Sequence, residues 1–492
     1  MSKYLNRVYI TEIVLFFLII FGVVPRWFAF VLAGILIIYT LLASLEDATV
    51  LFVRSIPLFI ALPITANFDN FNTWRIITII LFVKWIIVQY QNANLKIQND
   101  NLKFKILLIC LFVISILSIL VAQDKMAGVM RVIYFANLAM VPIVIYYVAD
   151  KRRIIRNFIP PLVIILAIGF FQLATTYFHD IYGFVDLWGW GAQCRQFGME
   201  WCRIAVEKGN TWFAYNSFGN INLRMFSLFT DSHTFPMYIL MSLPAVFAYA
   251  NFPKMRNIAI IIPFAFLAAI LSNTRGIWLA GWAVTILAII SLIVIRKTVW
   301  RHLVGWLAVF VLMFAFVYPI SATPQFHLWA GNSNLKTRIR SIFDPAETSN
   351  ALRIAIWKAS LKSITSHPLL GVGIGNFPVV LQQDIALAKA GSSAHNLYLH
   401  IGAELGVPAL LCALAFFWLL FKKTWREFRS ATGNFEALYF GALLIILPWL
   451  YAYLLTDAAL FDERAFLMFA AVSATILAVG PLRSGLSGQT AQ

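Results

Sequence analysis

"KILLICLFVISILSILVA", residues 105–122, has one charged side chain at its first position and none after it. A helix of about 20 such residues crosses the hydrocarbon core of a bilayer. Similar runs recur along the whole chain of 492 residues, of which 61% are hydrophobic and 12% charged. The mean hydropathy is +0.82, and soluble domains carry about twice that charged fraction. No run alternates as the strands of a transmembrane barrel do, so the sequence predicts an all-α integral membrane protein.

The apolar runs predict a polytopic bundle of 12–14 transmembrane helices, because the crowded region before residue 63 divides in more than one way. No internal repeat or linker separates a second domain, so residues 1–492 form a single membrane domain. We place fourteen spans at 8–24, 27–45, 48–63, 73–90, 105–122, 129–148, 158–178, 234–250, 258–273, 277–295, 303–321, 397–421, 435–455 and 465–482.

The net charge of +17 falls in short basic clusters between the apolar runs. Because cytoplasmic loops are rich in Lys and Arg, this pattern favours membrane topology over nucleic-acid binding. The count of predicted spans puts the clusters at 150–157, 251–257, 296–301 and 422–429 on the same side of the membrane, and we assign this side to the cytoplasm. Both termini then lie in the cytoplasm as well.

Two long polar segments fall on the opposite, extracytoplasmic side: an aromatic loop at 179–233 and a basic loop at 322–396. Loops of this length are usually functional or disordered. The tryptophans of the aromatic loop form either stacking surfaces for sugar rings or an interfacial belt. Its Cys194 and Cys202 pair if that side is oxidising, and free thiols are the alternative. Because outer loops normally contain few basic residues, the basic loop predicts an anionic ligand.

Two arginines are candidates for binding this anion. Arg275 stands in "NTRG", a tight outer connection in which the alternative role is an interfacial anchor. Arg353 shares a helical face with Trp357 in the helical stretch "NALRIAIWKASLKSI". The alternative for Arg353 is an ion pair with Asp344 or Glu347. A guanidinium offers five donors and keeps its charge, which suits phosphate oxygens.

His395 is the candidate general base. It follows Ser392 and Ser393, either of which would cap the next helix. An imidazole near the positive end of a helix dipole is disfavoured as a cation, so we expect a neutral base. The alternative is an interface histidine without a catalytic role. Glu404 points away from His395, and we expect it to form a structural pair with His400, four residues before it.

Two other kinds of motif carry less information. "GVGIGNF", residues 371–377, has GxGxG rather than GxGxxG spacing and lies in no βαβ unit, so it predicts turn glycines. A backbone nest for phosphate oxygens is the alternative. The chain has no DxD, HExxH or paired CxxC motif, and we therefore expect no metal and no cofactor.

Two segments have a spacing that resembles the signature region of the O-antigen ligase and polymerase superfamily. They are "LRIAIWKASLKSITSHPLLGVGIGNF" at 352–377 and "HNLYLHIGAELG" at 395–406, with Ala409 in place of the last glycine. The resemblance extends over roughly residues 220–410.

Two upstream arginine segments also resemble that family. "NTRG" is similar to its arginine–glycine turn, and "INLRMFSLFTDSHTFPMYIL" at 221–240 is similar to its segment with an arginine at the position of Arg224. Family members often have Pro-Asn where this chain has Asp-Ser-His at 231–233.

The resemblance implies a GT-C fold and a metal-independent, inverting glycosyltransferase. Such an enzyme moves a glycan from a polyprenyl (undecaprenyl) pyrophosphate to a lipid A-core sugar, a growing chain or a protein hydroxyl. The active site would face outward from the bacterial cytoplasmic membrane. On this basis we expect catalysis by His395, Arg275 and Arg353. Substrate-binding residues are expected to be Arg224, Arg338, Arg340, Trp357 and Asn396.

Other functions remain open from the sequence. A ligase is favoured slightly over a polysaccharide polymerase, since the two share donor chemistry. A flippase for lipid-linked glycans is the alternative from another class, although transporters usually show repeated halves. A peptidoglycan polymerase of the shape and division class would rely on an outer acidic residue, and Asp344 and Asp384 lack a matching context.

Overall fold

The computed structural model describes residues 2–64, 71–91, 101–148, 150–199, 202, 206, 211–215, 221–295, 297–327, 348–382 and 393–478. These residues form a bundle of α-helices with one small hairpin. The α-helices are α1 Ser2–Ile20, α2 Phe28–Leu42, α3 Leu45–Ser55, α4 Thr73–Gln91, α5 Leu102–Ser118, α6 Lys125–Tyr147, α7 Lys151–Arg156, α8 Ile159–Thr175, α9 Ile181–Phe184, α10 Cys194–Phe197, α11 Thr234–Ala250, α12 Ile261–Leu271, α13 Arg275–Ser291, α14 Thr298–Ala322, α15 Thr348–Ser366, α16 Phe377–Val380, α17 Leu397–Ser430, α18 Asn434–Tyr453 and α19 Glu463–Leu477.

Shorter elements connect them. A π-helix covers Val185–Gln193, and 3-10 turns cover Ile56–Leu58, Ile119–Val121, Pro253–Ile260 and Ala459–Phe461. The strands β1, Phe213–Tyr215, and β2, Ile221–Leu223, pair antiparallel.

Eight helical segments of the described chain are long and apolar enough to cross a membrane. The predicted all-α polytopic fold is therefore confirmed. Three further apolar helices are shorter: α2, α11 and α13. The eight segments are Thr73–Gln91, Leu102–Val121, Lys125–Tyr147, Lys151–Thr175, Pro253–Leu271, Thr298–Ala322, Leu397–Ser430 and Asn434–Tyr453.

Each of the fourteen predicted spans overlaps a described helix, but six of these helices are not both long and apolar enough to cross a membrane, and the end of the last span, 479–482, lies outside the described residues. The clearest difference is the predicted span 48–63. Its helix, α3, ends at Ser55, where the Ser55 hydroxyl donates to Glu12 Oε2 at 2.6 Å. Pro57 follows in a 3-10 turn, and Ala61 then forms an antiparallel bridge with Asn72. The hydropathy of this stretch reflects burial inside the protein rather than a complete helical crossing.

The centre of the bundle is formed by α11 and α18. Sixteen of the seventeen residues of α11 and most residues of α18 are buried, whereas α5 is mostly exposed on the periphery. Because α11 packs along α18, the residue before α11, His233, comes close to Tyr453 at the end of α18. The Tyr453 hydroxyl donates to the His233 carbonyl at 3.1 Å.

The described part of the aromatic loop is folded against the helices. The Trp188 and Trp212 side chains are fully buried, and their indole N–H groups donate to Thr175 Oγ1 at 2.9 Å and to the Thr230 carbonyl at 3.1 Å. Neither ring is therefore available as a sugar platform or as an interfacial belt. Trp190 is partly exposed, and Trp201 lies outside the described residues.

A disulfide joins Cys194 and Cys202 in the same loop. The sequence left this pair open between a disulfide and free thiols, and the structure has it bonded. Disulfides persist mainly in oxidising compartments.

The basic loop contains the helix expected from its sequence, α15, and a glycine turn at 371–375. Gly371, Gly373 and Gly375 all have positive φ, which confirms them as turn glycines. The turn packs against α17 at Gly406, where φ is 83° and ψ is 176°. A Cβ at Gly406 would lie 2.4 Å from the Leu369 carbonyl oxygen.

Replacing Gly406 by alanine is expected to destabilise the protein. Such backbone angles are essentially restricted to glycine and cost other residues roughly 1–3 kcal/mol, and the new methyl group would overlap a backbone oxygen. We expect Gly406→Ala to lower the unfolding temperature in detergent, measured by size-exclusion chromatography after heating. The matched control is Gly305→Ala, because Gly305 lies within α14 with no atom near its Cβ position. Equal unfolding temperatures for the two variants would contradict this account.

Candidate active site

A cavity opens where several helix ends and loops meet. Its volume is about 60 Å³, which is room for about four to six waters at ~10–15 Å³ each. That is the scale of a phosphate group rather than of a sugar chain. Five separate segments supply the lining residues: Arg224, His233, residues 273–276, Arg353, Tyr453, Thr456 and Asp457.

Hydrogen bonds fix the connection that carries Arg275. The Asn273 side chain donates to the Leu223 carbonyl at 3.0 Å, and the Thr274 hydroxyl donates to the Ser232 carbonyl at 2.8 Å. Leu223 and Ser232 directly precede the cavity residues Arg224 and His233. The two arginine segments recognised in the sequence are thus joined in space.

The cavity carries an excess of positive charge. Arg224, Arg275 and Arg353 line it together with one carboxylate, that of Asp457. Burial, and then the nearby charge of Arg353, lower the pKa of Arg224 to about 10. Arg224 therefore stays charged at neutral pH although its charged form is disfavoured, and an anion in the cavity would relieve this cost.

Asp457 is the acidic centre of the site. Its Oδ2 lies 2.9 Å from His233 Nδ1 and 3.9 Å from His395 Nδ1. Burial opposes the charged form, but the two adjacent imidazoles hold the pKa of this carboxyl well below its ordinary value. Asp457 is therefore a carboxylate at neutral pH.

The contacts of His233 indicate its tautomer. Nδ1 faces the Asp457 carboxylate and Nε2 faces Arg224 Nη2 at 3.2 Å. A guanidinium is only a donor, so we assign the proton to Nδ1 and an accepting role to Nε2. His233 thus connects Arg224 to Asp457 and orients both side chains.

His395 presents its imidazole at the surface of the same site. Its side chain is 39% exposed, so a substrate could reach it. Nδ1 is the nitrogen nearer Asp457, which leaves Nε2 as the nitrogen for an acceptor. His395 has φ of 44°, and a residue held in this region costs roughly 1–3 kcal/mol, a strain that is often found at functional sites.

The segment around His395 differs from the expected capping. Asn396, not a serine, caps α17: its Oδ1 accepts from the Tyr398 and Leu399 amides at 3.0 and 3.1 Å. Ser393 Oγ instead accepts from the His395 amide at 3.1 Å, and Ser392 lies outside the described residues. His395 therefore precedes the helix, and the dipole argument for a neutral base does not apply. Among the described residues, Asp457 is the carboxylate that faces its imidazole.

Trp357 links α15 to this segment. Its indole N–H donates to the Ala394 carbonyl at 3.0 Å, so the helix that carries Arg353 is attached next to His395. Trp357 and Asn396 were expected to bind substrate. That role stays a prediction; in the structure the Trp357 indole N–H and the Asn396 Oδ1 bond to backbone groups of this loop and α17.

The predicted pair of His400 and Glu404 is confirmed, with 3.3 Å between Nε2 and Oε1. Both residues are buried. Glu404 Oε1 also accepts from the Phe377 amide at 3.0 Å, and the Phe377 ring stacks on His400 at 4.4 Å. The pair therefore attaches the glycine turn to α17.

Comparison with known proteins identifies the region that builds most of this site. Residues 259–414 match a family model described as O-antigen ligase. Over these residues the chain is similar to the O-antigen ligase family. The resemblance seen in the sequence is thereby confirmed, and the family is one of glycosyltransferase-like enzymes. No match to the chain is found among curated proteins.

The O-antigen ligase region contains Arg275, Arg353 and His395, while Arg224 lies before it. Arg224, Arg275 and Arg353 line the cavity, and His395 contacts the cavity residue Asp457. The remaining predicted residues, Arg338 and Arg340, lie outside the described residues, as do the alternative acidic residues Asp344, Glu347 and Asp384.

Sequence reasoning missed His233, Tyr453 and Asp457. His233 lay in a segment noted only for its departure from the family pattern. Asp457 stands in "LLTDAALFDE", residues 454–463, a short connection between the last two apolar runs. Several acidic residues in one short connection were the available signal, but only the packing of α11 on α18 brings Asp457 close to the arginines.

Trp357→Phe is expected to loosen the segment around His395. The change removes the indole N–H and keeps an aromatic ring, and a hydrogen bond of this kind contributes about 1 kcal/mol. Amide hydrogen exchange of residues 393–398 should therefore become faster. Trp418→Phe is the control, because Trp418 is exposed on α17. Exchange that is as slow in Trp357→Phe as in this control would show that the bond does not hold the segment.

Proposed function

We propose that this protein transfers a glycan from a polyprenyl diphosphate carrier to an acceptor hydroxyl at the outer face of the bacterial cytoplasmic membrane, in the manner of an O-antigen ligase. The observation that carries the proposal is the convergence of three arginines and Asp457 in one cavity, with His395 against the same carboxylate. The family implies a lipid-linked glycan donor and an acceptor in the membrane.

The arginines bind the diphosphate and stabilise its departure. As the glycosidic bond breaks, negative charge develops on the leaving oxygen, and fixed cations at that position lower the barrier. Arg275 and Arg353 supply this charge, and Arg224 lies beside them in the cavity. Because the diphosphate leaves as an anion, no acid is needed to protonate it.

His395 accepts the proton of the acceptor. The hydroxyl oxygen attacks the anomeric carbon, the bond from this carbon to the diphosphate oxygen breaks, and the hydroxyl proton moves to Nε2 of His395. Asp457, on the Nδ1 side, holds the imidazole and stabilises the imidazolium that forms. Attack from the face opposite the leaving group inverts the anomeric centre. The guanidinium groups neutralise the diphosphate, so the reaction is metal-independent.

One feature supports an outer location, and a second supports a lipid-linked donor. The Cys194–Cys202 disulfide is typical of an oxidising compartment. Exposed apolar side chains surround the bundle, and the carrier's polyprenyl tail would lie against them while its head group enters the cavity.

His395→Ala and Arg353→Ala are expected to reduce transfer strongly in a purified assay with a lipid-linked donor. A positioned base contributes about 10²–10⁴-fold and one electrostatic stabiliser about 10²–10³-fold. The controls are His302→Ala and Arg301→Ala, two exposed residues at the start of α14. All four variants should elute as the parent does on size exclusion. Transfer at the parental rate would remove the assigned residue from the mechanism.

The products distinguish the remaining functions. A ligase moves preformed chains to a different acceptor, whereas a polymerase lengthens chains that stay on their lipid carrier. Transfer in detergent, where no membrane separates two sides, would exclude a function limited to flipping. We favour the ligase.

The location can be tested with the cysteines. In cells, Cys194 and Cys202 should resist a maleimide reagent until a reductant is added, and a membrane-impermeant reductant should be sufficient. Cys110 and Cys412, which are free, are replaced by serine in every sample so that labelling reports only the pair. Labelling without reductant, or only after a permeant reductant, would contradict the outer location of this loop.

A further inference from the structure

A second pair of arginines lies apart from the cavity residues, on α4 and α6. Arg75 is in the first turn of α4, and Arg131 is in the second turn of α6. Their guanidinium carbons lie 5.6 and 5.8 Å from the centre of the same ring, that of Tyr134. Arg75 also covers Trp74 at 5.4 Å, and Arg131 covers Phe135 at 5.9 Å. Cation–π contacts thus hold two like charges against one aromatic patch.

No carboxylate oxygen of the described residues lies within 4 Å of either guanidinium, although Glu404 is close enough to Arg131 to interact with its charge. Glu463, an acidic residue of this region, is occupied by other donors: Asn72 Nδ2 at 2.9 Å and Trp74 Nε1 at 2.6 Å. The Nε of Arg75 is buried and lacks a hydrogen-bond partner among the described residues. A charged donor in this situation favours binding of an anion.

The arginine pair adjoins the active site through two structural elements. Gly375 of the glycine turn lies against Arg131, whose Cβ is 3.5 Å from the position of a Cβ at Gly375. The Tyr134 hydroxyl donates to the Phe461 carbonyl at 3.2 Å, and Phe461 lies in the same short connection as Asp457. The pair is therefore a neighbour of the cavity but contributes nothing to its lining.

The surroundings indicate a lipid rather than a soluble anion. Ile79 and Val83, four and eight residues after Arg75 on α4, are exposed apolar side chains, and so are Met130 and Ile133, which lie on either side of Arg131 on α6. Acyl or polyprenyl chains would lie along these helices with a charged head group at the arginines, in the arrangement that basic residues near membrane surfaces use to bind anionic lipids.

We propose that Arg75 and Arg131 bind the phosphate of a second lipid head group, that of the acceptor, while the cavity holds the donor diphosphate. This inference rests on the proposed function, since it assigns a place to the second substrate of the same reaction. A guanidinium pair presents up to ten N–H donors, which is enough to surround one phosphate. The acceptor hydroxyl would then be delivered to His395 from the side of the glycine turn.

Kinetics with two acceptors test the assignment. The variants are Arg75→Gln, Arg131→Gln and the double variant, with Arg75→Lys retaining the charge and Arg301→Gln as an exposed arginine control. With a phosphorylated lipid acceptor, the double variant should raise the KM for acceptor about tenfold or more, as loss of charge-assisted bonds would. The KM for donor and kcat should change by less than about twofold. With the dephosphorylated acceptor, the double variant and the parent should have the same KM.

Two kinetic results would overturn the proposal. A rise in the KM for donor alone would assign the pair to the donor, and an unchanged KM for the phosphorylated acceptor would remove it from substrate binding. Arg75→Lys should keep most of the affinity. Equal unfolding temperatures of all variants in detergent would show that a change in KM does not report misfolding.

Direct binding separates this inference from the proposed function. In a His395→Ala background, thermophoresis would measure the affinity for a bis-phosphorylated lipid A, a polyprenyl monophosphate and phosphatidylglycerol. A selective loss of affinity for lipid A or for polyprenyl phosphate in the double variant supports the site. The lipid that loses affinity identifies whether the acceptor is a lipid core or a carrier-linked chain. Equal weakening of all three, phosphatidylglycerol included, would reduce the pair to a general anchor and overturn the proposal, as would no weakening. If the weakening is selective but the parent transfers no glycan, the lipid site stands and the proposed transferase function fails.

Discussion

The buried carboxylate of Asp457 is the constraint on which the site depends. It is within 2.9 Å of His233 and 3.9 Å of His395, which stand before α11 and α17 and are more than 150 positions apart in the sequence. A buried carboxylate is tolerated only when proton donors or cations surround it. The Asp457 carboxylate therefore holds the starts of α11 and α17 close to the end of α18. The same negative charge offsets part of the repulsion among the arginines of the cavity.

Hydropathy was sufficient to predict the fold class because α-helices in a bilayer must satisfy their own backbone. The predicted span 234–250 coincides with α11. Hydropathy was insufficient where apolar residues are buried in protein, as after Ser55, because burial in lipid and burial against other helices have the same composition. Pro57 was the local signal that α3 could not continue.

Part of the site was predicted from the sequence. The chemistry of its residues explains why some were found and others were missed. Arg275 and Arg353 stand out because their type and local spacing suit a phosphate, and both line the cavity. Asp457 stands in no recognisable sequence motif, because only tertiary packing brings its partners close to it. Trp357 and Asn396 were predicted to bind substrate, but the sequence could not show that the Trp357 indole N–H and the Asn396 Oδ1 also bond to backbone groups beside the site.

The cavity draws its lining from residues 224 to 457, and this order has a consequence for how the protein is made. Helices of such proteins enter the bilayer one after another as the ribosome proceeds. The arginine segments are therefore in the membrane long before the turn after α18 has been synthesised. Until that turn has been synthesised, the arginines of the cavity lack the Asp457 carboxylate, and the His395 imidazole lacks its partner. If the site acts as proposed, it would be complete only after α18 and the turn that follows it have been inserted.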